Sequence, residues 1–471
     1  MKKMVARESF ITYTNSQKIH VRGTLMHVTG QTAVFEAYNP FSILQLSEVL
    51  NDFNIIMGDR QLYSGKAVVS SLVNTGIMLV IETTLLDPWS EVDPFSILQD
   101  RAILRRETER FIADWESSHH ILPNFKVLIG DYRNFLAELS IWLQQIELGV
   151  KSLDKTSIDK TISELVYEVA EPVRPILQEF LGQLETIITD ITPELEGLHK
   201  SYTRREIHPL ILCSPFVHRT YTKPLGYAGD YGMINMILGD ARKGKSLFAK
   251  TINALFLEAA PSVAHQNRIL VLRELLEKKI KRRSDKHSGP LKVLNVACGP
   301  AKEVRDFIQL SPCADDCEMT LLDFSPEALH YAERSTKEVL EASNCKMKLH
   351  VIEKSVDQLL RESIGQTPGQ SVVPDKYDYV YCAGLFDYLT SSVCQRLTTL
   401  FYKWVRPGGL VAITNLHTSN PAKGLMEYIL EWNVVHRSEQ ELKRLVTTEG
   451  VIDTFADKTG VNAFITVRKQ K

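Results

Sequence analysis

The sequence contains no long apolar run, no excess of basic residues and no regular spacing of cysteines. Its apolar stretches fall short of the roughly 18 residues that a membrane-spanning helix needs, and residues 1–20 lack the apolar centre of a signal peptide. The net charge of −2 at pH 7 argues against a general electrostatic grip on nucleic acid or an anionic membrane. We therefore expect a cytoplasmic protein without a transmembrane segment and without a nucleic-acid partner.

The seven cysteines are an odd number and show no disulfide framework. Cys313 and Cys317 form the closest pair, and nothing nearby completes a set of four zinc ligands. We expect reduced thiols and no metal site.

The 471 residues are enough for two or three domains, and the pattern changes twice along the chain. Residues 1–88 are β-rich, residues 99–285 have helical periodicity, and residues 286–471 alternate strand and helix. The predicted fold is multidomain: a small N-terminal β-barrel, a central α-helical region and a C-terminal α/β Rossmann-like domain. The segment DPWSEVDPFSIL is the predicted linker after the first domain.

The N-terminal strands are short, β-branched and separated by glycines, as in KIHVRGTLMHVTG and GKAVVSSLVNTG. The segments VRGTLMHVTGQTAVFEA and YSGKAVVSSLVNTG resemble a PilZ-like domain. That resemblance implies cyclic di-GMP binding through an RxxxR arm and a D/NxSxxG loop. Arg22 has no arginine partner four residues away, and SSLVNTG matches the loop only in part. We therefore expect a degenerate module that docks or packs, and no cyclic di-GMP binding.

The middle of the chain predicts a helical bundle. Apolar residues from Phe125 to Ile146 follow i, i+3, i+4 spacing. A second helical stretch covers 158–191 and should break or kink at Pro172 and Pro175, and a third covers 251–280. The basic run KKIKRRSDKH is interpreted as a solvated helix end. The broad apolar face would allow a homodimer.

The C-terminal region begins with LKVLNVACGPAKEVRDFI, which predicts a buried strand, a tight turn at Gly299 and a helix. EMTLLDFSPEALHYAE predicts a second strand that ends at Asp323, 24 residues after Gly299. An acid at about this spacing meets ribose hydroxyls in nucleotide-binding folds. KLHVIEKSVDQL, DKYDYVYCAGLFDYL and VRPGGLVAITNL predict three more strands. This alternation predicts a doubly wound parallel sheet with its ligand at the carboxyl ends of the strands.

The ordered set CGPA, LLDFS, EKSV, YDYVYCAGL and RPGG resembles class I S-adenosylmethionine-dependent methyltransferases, over roughly residues 285–471. A nicotinamide enzyme would show further glycines in the first turn, and none follows Gly299 within eight residues. The resemblance implies S-adenosylmethionine as cofactor. It implies that Asp323 binds the ribose and that the other cofactor contacts are Ala297, Cys298, Gly299, Phe324, Ser355, Val356, Cys382, Ala383 and Gly384.

Asn295 departs from this family pattern. Many members carry an acid at the end of the first strand, where it helps to hold the amino group of the cofactor. Glu303 could replace that acid, or it could simply favour the start of a helix by its charge. Both interpretations stay open at this point.

Two segments are candidates for binding the methyl acceptor. RTYTKPLGYAGDYGMIN is rich in glycine, tyrosine and charge, as in loops that cover active sites, and offers Lys223, Tyr227, Asp230 and Tyr231. The alternative is a structural turn. The segment after the fifth strand offers His417, Trp432 and Arg437. Arg437 could clamp a substrate carboxylate or form an ordinary ion pair. The predicted catalytic residues are His417, Tyr227 and Arg437.

The motifs KPLGYAGDY, NVACGPAKEV and EWNVVHRSEQEL resemble bacterial methyltransferases of the 3-hydroxypalmitic acid methyl ester type, over about residues 200–471. That resemblance implies carboxyl O-methylation of a fatty acid or acyl derivative, a small-molecule acceptor. A carboxylate needs no base, whereas a hydroxyl or amine would use His417, His436 or Asp387. The alternative is a regulatory or scaffold protein that senses S-adenosylmethionine and docks a partner through its N-terminal module. A nucleic-acid methyltransferase is disfavoured, because CAGL stands where NPPY or DPPY would follow the fourth strand.

Overall fold

The computed structural model describes residues 9–15, 20–37, 44, 47–57, 60–74, 79–89, 101–118, 120–150, 155–281, 289–363 and 377–470. The chain folds as two units. One comprises residues 1–162, 175–214 and 245–249, and the other comprises residues 163–174, 215–244 and 250–471. The predicted linker from residue 90, the end of SSLVNTG and residues 282–287 of the basic run lie outside the described residues. Within the described ranges, no helix is long and apolar enough to cross a membrane.

The first unit begins with a closed antiparallel barrel in the order β1-β2-β3-β6-β5-β4. Buried and exposed side chains alternate along its strands, and the inward aromatic rings of Tyr13, Phe35, Phe53 and Tyr63 fill its core. The predicted small β-barrel is confirmed, and the likeness to PilZ stays a prediction. The strands are β1 (Phe10–Thr14), β2 (His20–Val28), β3 (Thr32–Ala37), β4 (Val49–Met57), β5 (Arg60–Asn74) and β6 (Leu79–Leu85).

Four long helices follow: α1 (Arg101–Ser118), α2 (Pro123–Val150), α3 (Lys155–Ile188) and α4 (Pro193–Ile211). Most of the apolar face predicted for α2 is buried, but Phe135 and Ile146 are only half-buried and Trp142 is 51% exposed. The second helical stretch does not break at its prolines, since α3 continues through Pro172 and Pro175, and the alternative of a kink stays a prediction. Its buried positions Val166, Val173 and Phe180 continue past both prolines, and this packing outweighs the lost backbone donors.

The helices of the second unit include α5 (Pro215–Thr222), α6 (Tyr231–Ile237) and α8 (Ala260–Lys281), while α7 (Leu247–Leu257) starts in the first unit and ends in the second. The single helix predicted over 251–280 is wrong, because the chain turns at residues 258–259 between α7 and α8. Pro261 then occupies the second position of α8, where its missing N–H has no intrahelical partner to lose.

The remaining elements form the α/β region. They are β7 (Leu291–Val296), α9 (Lys302–Leu310), β8 (Cys317–Asp323), α10 (Pro326–Ala342), β9 (Lys348–Glu353), α11 (Val356–Ser363), β10 (Tyr377–Cys382), α12 (Ser391–Trp404), β11 (Val405–Leu416), α13 (Glu439–Arg444), β12 (Val451–Ala456) and β13 (Asn462–Arg468). Short 3₁₀ turns lie at Ala314–Asp316 and Phe386–Tyr388, and a π-helical turn lies at Leu425–Ile429.

Seven strands among the described residues form one sheet in the order β12-β13-β11-β10-β7-β8-β9. The five strands from β11 to β9 are parallel, as the sequence predicts. The sheet is nevertheless mixed, because β13 pairs antiparallel with β11 and β12 pairs antiparallel with β13. The purely parallel sheet of the sequence analysis is thus corrected by an antiparallel edge.

Helices cover both faces of this sheet. Val293 of β7 packs in an apolar cluster with α8, α9 and α10, whereas its neighbour Leu294 packs in another with α12 and α13. Because the central strands are buried on both faces, their chemistry is confined to their ends. The carboxyl ends of β7, β8 and β10 meet at one edge of the sheet, where an open α/β fold binds its ligand.

Candidate functional site

The turn after β7 has an unusual backbone. Ala297, Gly299 and Ala301 all have positive φ, at 55°, 51° and 48°. Alanine rarely adopts this left-handed conformation, so the surrounding structure must impose it. Cys298 N donates to Leu322 O over 3.1 Å, and Gly299 N donates to Asp323 Oδ2 over 2.9 Å. The turn is therefore tied to the end of β8. An added Cβ at Gly299 would meet nothing within 4 Å, so its backbone faces open space.

Asp323 is buried at the tip of β8. Its second oxygen, Oδ1, accepts a hydrogen bond of 3.0 Å from Ser325 N. Burial raises the pKa of Asp323, although its backbone N–H donors oppose that shift. Each carboxylate oxygen has a further lone pair, so Asp323 can still accept hydrogen bonds from a ligand.

Glu303 lies in the first turn of α9, also buried. Asn295 Nδ2 and the Tyr381 hydroxyl both donate to its Oε1, each over 2.9 Å. Neither donor reaches Oε2. Burial raises the pKa of Glu303. The amide at position 295 thus supports a carboxylate that lies eight residues further along the chain.

These residues surround a cavity of about 310 Å³, at the lower end of the range for small-molecule sites. Its walls come from the turn after β7, the tips of β8 and β10, α8, the 219–235 segment and the segment around Trp432. The lining residues are Tyr227, Gly229, Tyr231, Ile234, His265, Arg268, Ile269, Leu272, Asn295, Ala297, Cys298, Gly299, Pro300, Glu303, Asp323, Phe324, Ala383, Gly384, Leu385, Asp387, Tyr388 and Trp432.

The tyrosine-rich segment contributes two of its predicted residues, Tyr227 and Tyr231, to the cavity wall. The Tyr227 ring lies 5.8 Å from that of Phe324 and 6.1 Å from that of Tyr388. Burial raises the pKa of Tyr227, so its hydroxyl stays neutral at ordinary pH and is a poor base.

Lys223 and Asp230 have other partners than the cavity. Lys223 forms a 3.9 Å ion pair with Glu431. Asp230 is buried, pairs with Arg219 over 2.8 and 3.0 Å, and caps α6 by accepting from Met233 N. Their predicted substrate role is therefore not supported by the geometry, which gives both a part in holding the segment in shape.

Trp432 lines the cavity and donates from Nε1 to the Tyr388 hydroxyl over 2.8 Å. Arg437 does not line it. Its buried guanidinium donates to Phe386 O, Asn415 Oδ1 and Leu389 O. These bonds use the two Nη groups that were predicted to bind a substrate carboxylate. His417 also lies outside the cavity lining, with Nδ1 bonded to Ser419 Oγ over 2.6 Å. Because neither residue lines the cavity, the geometry does not support the catalytic role predicted for Arg437 and His417.

Three predicted cofactor contacts also lie outside the cavity lining. Ser355 and Gln358 exchange hydrogen bonds at the start of α11, and Val356 follows in that helix. Cys382 is buried in the apolar cluster beneath α12. Its neighbours Ala383 and Gly384 do line the cavity.

Sequence reasoning missed His265 and Arg268, one turn apart on α8. Both are buried and both line the cavity. His265 Nδ1 lies 2.7 Å from Pro261 O, and because a carbonyl only accepts, this nitrogen carries the proton and Nε2 is left as an acceptor. Burial lowers the pKa of His265 to about 3, so the ring is neutral. The i, i+3 spacing of two polar residues on an otherwise buried helix face was the available signal.

The family model for a methyltransferase domain matches residues 287–452, which contain the turn after β7, Asp323 and Gly384. This region is thus similar to a methyltransferase domain, as the sequence predicts. The methyltransferase domain accounts for the parallel part of the sheet, with β12 partly and β13 wholly beyond the matched residues. No curated protein sequence matches the chain.

Several solved structures are similar to this chain. One is magnesium protoporphyrin IX methyltransferase from Synechocystis PCC 6803 with bound SAH, at 13% identity and a TM-score of 0.36, covering 54% of this chain and 98% of that one. Another is the N-methyltransferase NodS from Bradyrhizobium japonicum WM9, at 14% identity and a TM-score of 0.28, covering 44% and 96%. With TM-scores this low, neither likeness carries an argument about the acceptor.

Proposed function

We propose that the protein transfers a methyl group from S-adenosylmethionine to the carboxylate of a small molecule, a fatty acid or acyl derivative. The observation that carries the proposal is the hydrogen bond from Gly299 N to Asp323 Oδ2, which joins the turn after β7 to the tip of β8 inside the cavity. The bond places the backbone of the turn and the carboxylate of Asp323 side by side on one wall of the cavity.

The polar groups of the cavity match those of S-adenosylmethionine. Asp323 would accept from the ribose hydroxyls, and the half-exposed Phe324 ring would flank the ribose or adenine. Oε2 of Glu303 would accept from the amino group of the methionine end. Ala297, Cys298, Gly299, Ala383 and Gly384 would contact the cofactor through their backbone. When bound, the cofactor would supply the methyl group of its sulfonium ion. Transfer of that methyl group to a carboxylate oxygen would give the methyl ester and S-adenosylhomocysteine.

The acceptor side of the cavity suits an acyl chain with a carboxylate. Ile234, Ile269, Leu272 and Leu385 give it apolar walls, beside Tyr227, Tyr231 and Trp432. A carboxylate is already a nucleophile, so these side chains need only position it and exclude water. Tyr227 and His265 are both poor bases, and Asp387, whose pKa burial raises to about 6, is the candidate base in the cavity lining if the acceptor were a hydroxyl or amine.

Calorimetry with S-adenosylhomocysteine tests the cofactor site. We expect binding by the wild type, and at least a tenfold loss in Asp323→Ala. Asp378→Ala is the matched control, because Asp378 accepts a comparable backbone bond from Lys292 N at the opposite end of the sheet. Absence of binding by the wild type would overturn the proposal.

Turnover tests the reaction itself. Hexadecanoate with S-adenosylmethionine should give the methyl ester and S-adenosylhomocysteine, and hexadecan-1-ol should not react. His417→Ala should retain activity, since His417 lies outside the cavity lining. Binding without turnover on any carboxylic acid would favour the sensing role instead.

A further inference from the structure

Arg268 is a buried cation that forms no hydrogen bond or ion pair among the described residues. Its side chain is 7% exposed, and Nη1 is fully enclosed. A buried charge without compensation is strongly unfavourable, and natural proteins keep one only where something else satisfies it. Desolvation lowers the pKa of Arg268, and the charges of Asp387 and Glu303 only partly offset this effect.

The position of Arg268 shows where its missing partner would be. Arg268 lines the cavity, and a Cβ added to Gly384 would lie 2.9 Å from Nη1. The guanidinium therefore lies against the backbone of Gly384, just past the tip of β10. Gly384 has a φ of 84° and donates from its N–H to Thr414 Oγ1 over 3.0 Å, which fixes this loop beneath the guanidinium.

The acids around Arg268 do not neutralise it by contact. Asp387 and Glu303 act on it electrostatically, but neither forms an ion pair with it. Asp387 Oδ1 accepts from Leu416 N, and Glu303 Oε1 accepts from Asn295 and Tyr381. Neither acid therefore uses a donor of Arg268, whose side chain lines the cavity.

We propose that Arg268 is a carboxylate-binding residue of this cavity. A planar guanidinium matches a carboxylate with two parallel hydrogen bonds. The inference rests on the proposed function, which offers two carboxylates: the methionine end of the cofactor and the acceptor. The chemistry at Arg268 is the same for both.

Arg268→Gln and Arg268→Met separate a binding role from a structural one. Without ligand, Arg268→Met should unfold at the same or a higher temperature than the wild type, because it removes an uncompensated buried charge. Arg273→Gln is the matched control, being on the same helix, paired with Glu277 and outside the cavity lining. A clear fall in the melting temperature of Arg268→Met would assign the residue a structural role and overturn the proposal.

Calorimetry then identifies the source of the carboxylate. If the cofactor supplies it, Arg268→Gln should bind S-adenosylhomocysteine at least tenfold more weakly, with unchanged affinity for 5′-methylthioadenosine, which lacks the amino-acid end. If the acceptor supplies the carboxylate, the affinity of Arg268→Gln for S-adenosylhomocysteine should be unchanged. With its cofactor site filled by S-adenosylhomocysteine, this variant should then bind hexadecanoate at least tenfold more weakly than the wild type does. Equal affinities of wild type and variant for both carboxylates would overturn the inference. Failure of the proposed function differs, since the wild type itself would not bind S-adenosylhomocysteine.

Discussion

Asn295 donates from Nδ2 to Oε1 of Glu303 over 2.9 Å, so the amide at the end of β7 holds the carboxylate that begins α9. This relationship favours Glu303 as the replacement for the acid missing at position 295. Glu303→Gln should therefore weaken binding of S-adenosylhomocysteine about tenfold or more, because a neutral amide holds an ammonium group less strongly. Affinity for 5′-methylthioadenosine, measured by calorimetry, should not change.

The matched variant for this prediction is Asn295→Asp, which places a second carboxylate beside Glu303. Like charges in a buried site disfavour one another, so this variant should be less stable than the wild type at pH 7 and regain stability as the pH is lowered and one carboxyl takes up a proton. A Glu303→Gln variant that binds both ligands like the wild type would remove Glu303 from the cofactor site.

Gly384 provides a second prediction. Alanine there adopts an unfavourable positive φ, at roughly 1–2 kcal/mol, and its methyl group displaces the Arg268 guanidinium. Gly384→Ala should thus weaken the same carboxylate ligand as Arg268→Gln. In the double variant the two losses should not add, and calorimetry on all four proteins measures this coupling. Fully additive losses would show that Gly384 acts independently of Arg268.

The buried ring of His265 predicts a specific dependence of stability on pH. Its folded pKa of about 3 lies below the ordinary 6.5, so between these values the unfolded chain binds a proton that the folded chain does not. Stability should fall as the pH drops through this window, by at most about 1.4 kcal/mol per pH unit. The free energy of unfolding, measured with denaturant between pH 7 and pH 4, should depend less steeply on pH in His265→Gln than in the wild type.

Asp387 acts in the opposite direction within that window. Burial raises its pKa to about 6 from 3.8, so its contribution is complete at low pH and is lost as the pH rises through 6. Comparison with the wild type cancels this term and isolates His265. His330→Gln, at an exposed position of α10, is the control. Identical slopes for His265→Gln and wild type would refute the prediction.

Tyr227 yields a prediction about ring and hydroxyl. Its ring contacts those of Phe324 and Tyr388, and its pKa is raised by burial. Tyr227→Phe should retain most of the wild-type kcat/KM, whereas Tyr227→Ala should lose at least tenfold, since the wall of the cavity opens. A large loss in Tyr227→Phe would instead give the hydroxyl a direct part in the reaction.

The sequence predicted the five parallel strands because strand-like segments alternate with helical ones, and it located Gly299 and Asp323 by their spacing. It did not predict β12 and β13, whose antiparallel pairing depends on the edge that β11 leaves open. Arg268 escaped notice because helical periodicity marks a buried face without revealing that a cavity adjoins it. Arg437 was predicted to bind the substrate because the sequence does not show that three oxygen acceptors of the protein already surround its guanidinium.

The contact between Gly229 and Tyr388 has a practical consequence for dissection of the chain. A Cβ on Gly229 would lie 2.3 Å from the Tyr388 hydroxyl, which also accepts from Trp432. Two segments about 160 residues apart therefore close the same wall. A fragment that begins at residue 286 would contain every motif of the family yet lack Tyr227, His265 and Arg268. An inactive fragment of that kind would lack one wall of the cavity, and a fragment with the complete lining must begin upstream of Tyr227.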